Sequence, residues 1–149
     1  MYGTNMDTNV DIRVLIKPIW FDRFPTCRIG INDELHELVL VEPTWVNLKH
    51  SGSNATLKIE HYGKTNADTN IKTNEDTAIV IEQIHFNEIT SPKFIWQGIY
   101  YPSYPQHVNG ESELKFHNYL GWNGVWCLDF TLPIYTWIHQ VEDLGWIYD

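Results

Sequence analysis

Asn123-Gly124 sits between two runs of alternating apolar residues, LKFHNYLGW and VWCLDFTL, and no other feature of the chain narrows its fold as far. Both central positions of a type I′ turn need positive φ, which Asn and Gly tolerate best, so the pair predicts a β-hairpin over residues 114–132. A two-residue turn also fixes the register: Trp122 faces Val125, Gly121 faces Trp126 and Tyr119 faces Leu128. One face then carries Trp126, Leu128, Phe130 and Leu132 with Tyr119, and is the expected core face. The other carries Trp122, Leu120, Val125, Cys127, Asn118, Asp129 and Phe116. That mixture is too apolar for water and too polar for a dry core, and calls for cover from the C-terminal segment or from another chain.

The remaining runs read the same way. Strands are predicted over 10–16, over 26–32 and 35–42 as a hairpin turning near Asn32-Asp33, and over 44–48 as an edge strand after Pro43. Residues 55–62 alternate, with Ala55, Leu57, Ile59 and His61 on one face. The run AIVIEQIHF over 78–86 has the β-branched content of a buried central strand, and 94–100 alternates Phe94, Trp96, Gly98 and Tyr100 against Ile95, Gln97 and Ile99. Between them, GKTNADTNIKTNEDT over 63–77 is long and polar. After Pro133, Ile134, Trp137, Ile138 and Val141 follow helical spacing while their β-branched neighbours favour a strand, so both a short helix and a last strand stand open. About nine short strands with at most one C-terminal helix define an all-β chain, an antiparallel β-sandwich or jelly roll. The expected organisation is one domain over 1–149, with a loose arm over 1–9 and a docking segment over 133–149.

Nineteen acidic against ten basic residues give a net charge of −9, and no Lys or Arg follows Lys115. Such a surface repels phosphate backbones and anionic lipids, so nucleic acid and membranes are not expected partners. Aromatic residues make up 14% of the chain, and wide rings serve both sheets and interfaces. Cys27 and Cys127 lie in separate strand-like runs and are expected as buried free thiols. Residues 1–9 are polar, with neither the basic nor the apolar region of a signal peptide.

No catalytic signature is present: there is no His-Glu-x-x-His, no Gly-rich phosphate loop and no Gly-x-Ser-x-Gly. The chain is therefore read as a non-enzyme. The seven histidines stand apart, and His61 and His85 are expected to be hydrogen-bonded core or rim residues. Asp68, Glu75 and Asp76, with Asn70 and Asn74, supply hard oxygen atoms suited to calcium, although a solvated, mobile loop is the favoured reading and a calcium clip the alternative. Tyr100, Tyr101, Tyr104 and Trp122 are candidate platforms for sugar rings. Trp122, Trp126, Trp137, Ile138 and Trp146 are candidate anchors for a protein interface.

Residues 10–86 resemble the jelly-roll carbohydrate-binding modules that bind sugar with calcium. The likeness lies in an early strand followed by Pro25-Thr26-Cys27-Arg28-Ile29-Gly30-Ile31-Asn32, a paired strand running into the polar loop at 55–76, and an apolar closing strand over 77–87. It implies a glycan partner and a calcium ion. The absent signal, unpaired cysteines, Asn/Thr richness and aromatic C-terminal arm resemble small jelly-roll virion proteins of tailed bacteriophages. This second resemblance implies a structural or decoration subunit, made in the host cytoplasm and carried in the virion, that packs against other virion subunits or its own copies. The virion role is the leading expectation and glycan binding the alternative. The apolar set from Ile134 to Trp146 is expected to dock on a neighbouring chain rather than on its own sandwich.

Overall fold

The computed structural model describes residues 9–104 and 110–142. Among the described residues, eleven strands, all paired antiparallel, form two sheets whose inner faces share one buried cluster. The strands are β1 (Asn9–Ile19), β2 (Thr26–Ile31), β3 (Glu34–Val39), β4 (Thr44–Ser51), β5 (Asn54–Tyr62), β6 (Ala78–Phe86), β7 (Ile89–Thr90), β8 (Ile99–Pro102), β9 (Leu114–Lys115), β10 (Tyr119–Leu120) and β11 (Gly124–Thr131). Two α-helices among the described residues, α1 (Pro92–Trp96) and α2 (Ile134–Val141), and a 3-10 turn at Asn66–Asp68 accompany the strands. One sheet runs β10-β6-β1-β4 with β7 beside β6, and the other runs β3-β2-β5-β11-β8-β9. The chain stays within a sheet only at β2-β3, β6-β7 and β8-β9 and changes sheet at every other connection.

Period-two alternation places the core. Val10, Ile12, Val14 and Ile16 of β1 point inward, as do Ala55, Leu57, Ile59 and His61 of β5 and Trp126, Leu128 and Phe130 of β11. The β2-β3 hairpin turns at Asn32, whose φ of +56° Asn tolerates. β6 is a central strand, and β4 is an edge strand. Pro18 is tolerated in β1 because β4 ends opposite Ile16, leaving the strand a single neighbour there.

Three expectations are corrected. The Asn123-Gly124 hairpin does not form: β10 pairs with β6 in one sheet, while β11 lies between β5 and β8 in the other. Gly124, at φ +155°, is required by close approach, since a Cβ there would lie 2.4 Å from the carbonyl oxygen of Tyr101. Residues 94–96 are not a strand but the end of α1, which Pro92 starts and Ser91 caps by accepting from the Lys93 amide at 3.2 Å. Finally, α2 docks on its own sandwich. Trp137 meets Phe86, Phe94 and Phe130 with ring centroids 5.0, 5.7 and 6.3 Å away, and Ile134 and Ile138 are buried beside it. Trp126, Trp137 and Ile138 are therefore core residues and not surface anchors. Trp146, with the rest of the expected docking segment beyond Glu142, lies outside the described residues, as does the expected arm apart from Asn9.

Candidate functional site

At the end of the sandwich where β11 begins, the β5–β6 connection meets the segments on either side of β10. Gly63, at φ +76°, turns the chain out of β5 and delivers Lys64. Asn123 clamps the Lys64 backbone from across this junction: the Lys64 amide donates to Asn123 Oδ1 at 2.8 Å, and Asn123 Nδ2 donates to the Lys64 carbonyl at 2.9 Å. The Lys64 side chain is 5% exposed, and its Nζ pairs with Asp76 Oδ1 at 2.5 Å and donates to the Gly121 carbonyl. Asp76 is held from two further directions, by Thr69 Oγ1 at 2.8 Å and by the Tyr119 hydroxyl at 2.7 Å. Burial alone would raise the Asp76 carboxyl, but the hydrogen bonds from Lys64, Tyr119 and Thr69 outweigh it and hold the group below its ordinary range. Burial and the Asp76 carboxylate together push the Tyr119 hydroxyl upward, so it remains a donor.

Aromatic rings wall this polar cluster. Tyr104 and Trp122 meet edge to face at 5.8 Å, and Lys64 Nζ lies 5.5 Å from the Trp122 ring. Tyr100 stacks on His117 at 5.6 Å with an interplanar angle of 5°. The Tyr100 hydroxyl is committed to the Trp122 backbone, accepting from its amide at 3.1 Å and donating to its carbonyl. These groups line an open-mouthed cavity of about 230 Å³. That is smaller than the roughly 300–1,000 Å³ of drug-sized pockets and suits one small ring. Phe116, directly before His117, holds φ at +56°, a conformation costly for a bulky residue and of the kind concentrated at functional sites.

Of the residues proposed for sugar, the fold gathers Tyr100, Tyr104 and Trp122 at this cavity. Tyr100 is fully buried and forms part of its floor rather than an open platform. Tyr101, one residue further along β8, points to the opposite face and is 40% exposed. The acidic residues proposed for calcium are dispersed. Asp68 is buried and forked onto Arg23 at 2.8 and 2.6 Å. Glu75 accepts from Thr73 Oγ1 at 2.5 Å, and Asp76 belongs to the cavity. Among the described residues, no group of three or more His, Cys, Asp or Glu side chains could hold a metal ion. Nor does Asp76 suit one, because Lys64 occupies it. A dication about 4 Å from the ammonium would meet about twice the roughly 4 kcal/mol between unit charges at an effective dielectric of about 20.

Lys64, Thr69, His117 and Tyr119 were not foreseen as site residues. Lys64 and Thr69 come from the β5–β6 connection, His117 from the β9–β10 connection and Tyr119 from β10, and they carry no local motif, so only the junction of the two sheets marks them. His61 and His85 are a core and a rim histidine. His61 Nδ1 lies 2.8 Å from the Leu120 carbonyl, and His85 Nε2 lies 3.0 Å from Gln83 Oε1.

No protein-family profile matches the sequence, and no curated protein matches it. Two solved structures are similar to the chain. One is the selenomethionine form of vCBM60, described with a circular permutation that provides an evolutionary link between two families of calcium-dependent carbohydrate-binding modules. It superposes with a TM-score of 0.52 at 11% identity, covering 83% of this chain and 92% of that one. vCBM60 in complex with galactobiose gives a TM-score of 0.48 at 14% identity, covering 82% of this chain and 98% of that one. The first likeness shows a shared all-β sandwich fold.

Proposed function

We propose that this chain is a non-catalytic glycan-binding module that takes one sugar ring into the cavity between Trp122, Tyr104 and the Lys64–Asp76 pair. One observation carries the reading: aromatic walls and a hydrogen-bonded charged pair converge on a cavity of about 230 Å³. A pyranose needs that combination, because its C–H face packs on aromatic rings while its hydroxyls need strong donors and acceptors. The sandwich shared with a protein described among calcium-dependent carbohydrate-binding modules supports the same reading. The virion-subunit expectation draws no support from the fold neighbours. Of its anchors, Trp126, Trp137 and Ile138 lie in the core, and Trp122 lines the cavity.

A glycan array probed with the full chain tests this. Tyr104→Ala and Trp122→Ala should each weaken binding by about tenfold or more, corresponding to a lost contact of at least about 1.4 kcal/mol. Tyr101→Ala should leave it unchanged, because that ring faces away from the cavity. A wild-type chain that retains no glycan, or equal losses in all three variants, would rule the reading out.

A further inference from the structure

The site's charged groups are already matched to one another. Asp76 Oδ1 accepts from Lys64 Nζ and Thr69 Oγ1, and Oδ2 accepts from Tyr119. An approaching dication would have to displace an ammonium that is almost wholly enclosed, with a side-chain exposure of 5%. The likeness to calcium-dependent modules therefore stops at the fold.

We propose that this site binds neutral glycans without a divalent cation, with the Lys64 ammonium as the fixed positive charge that meets the sugar hydroxyls. The proposal rests on the glycan-binding reading and deepens it. An ammonium carries three N–H donors. Asp76 and the Gly121 carbonyl engage two, so one remains on a side chain that lines the cavity. A sugar hydroxyl oxygen accepts from that donor and gives its own proton to Asp76, whose carboxylate still has acceptor capacity. The Asn123 clamp on the Lys64 backbone fixes the ammonium in advance, as a bound ion would be fixed by its ligands. Preference for neutral sugars follows from Asp76. The carboxylate of an acidic sugar brought against Lys64 would lie against a second carboxylate already paired there, on a chain of net charge −9.

The test is calorimetric titration of the intact chain with galactobiose, xylobiose and cellobiose, and with a glucuronic-acid oligosaccharide, in excess EDTA and again in millimolar calcium. The expected result is binding of a neutral sugar with the same affinity in both buffers, and a melting temperature that calcium does not move. Neutral-sugar binding that vanishes in EDTA and returns with calcium would overturn the proposal while leaving the glycan-binding reading intact. Binding confined to the acidic oligosaccharide would overturn its neutral specificity. No binding of any probe in either buffer would overturn the reading beneath it and this proposal together. The double variant Lys64→Gln/Asp76→Asn removes both charges without stranding either, and should weaken neutral-sugar binding about ten- to hundredfold. A folded double variant that binds like the wild type would overturn the role of the ammonium, and the comparison of buffers stands even if that variant does not fold.

Discussion

Asp68 and Asp76, eight positions apart in one polar connection, are both ion-paired carboxylates, yet they do different work. Asp68 is buried and pins the β1–β2 loop through Arg23, while its Oδ2 also accepts from the Thr65 amide at 2.7 Å. The Arg23 hydrogen bond, opposed by burial and helped by Thr65, lowers its carboxyl from 3.8 to about 2. A lowered folded-state value means that the stabilisation is complete above the unfolded value near 3.8 and disappears as pH falls through about 2. The shift corresponds to about 2 kcal/mol at most, reduced by solvent on the half-exposed Arg23. Wild-type stability followed by urea unfolding should therefore fall between about pH 4 and 2 more steeply than that of Asp68→Asn. Parallel curves for the two proteins would show that the fork contributes nothing. Asp68 was legible as a hard oxygen donor but not as an Arg partner, because Arg23 lies 45 residues away and only the fold brings it near.

Among the elements, α2 was legible as an amphipathic pattern, but not in where its apolar side goes. Ile134, Trp137 and Ile138 face inward because Phe86, Phe94 and Phe130 leave an aromatic hollow at the end of β11 away from the cavity. Phe130 is six strand positions beyond Gly124, or about 20 Å at about 3.3 Å per residue, so the hollow and the proposed glycan site stand well apart. Trp137→Ala should cost about 3–5 kcal/mol, read as a lower urea midpoint. Sugar binding at a temperature where the variant is still folded should be unchanged, since distant sites act independently. A variant as stable as the wild type would mean that α2 does not dock in cis. The Asn-Gly signal shows the opposite limit. Its alternating apolar pattern correctly marked β11, but β5 and β8 take both edges of that strand and leave β10 to the other sheet.

Across the whole molecule, the glycan cavity draws on connections from both sheets: Lys64 and Asp76 after β5, Tyr104 after β8, His117 before β10, and Trp122 between β10 and β11. A ligand there ties together parts that separate on unfolding, so its binding energy adds to global stability. A neutral sugar at about 100 times its Kd should add about 2.7 kcal/mol, a rise in Tm of about 5–10 °C for a chain of this size. Differential scanning fluorimetry checks this, and no shift in Tm at that excess would show that the sugar does not bind the folded chain in preference to the unfolded one.

The sequence by itself determined the class and most of the strands. Alternation in β1, β5 and β11 depends only on the two-residue repeat of an extended backbone, and burial of one face follows from it wherever the chain is placed. The aromatic residues of the site were equally legible as residue types, and Tyr100, Tyr104 and Trp122 do converge. Tertiary structure alone decided which strands pair, that the last helix packs inward, and that Lys64 meets Asp76 behind Trp122. Those outcomes depend on contacts between segments far apart in the chain. Local propensity carries no information about them, because the energy that selects them arises only when the two sheets close on each other.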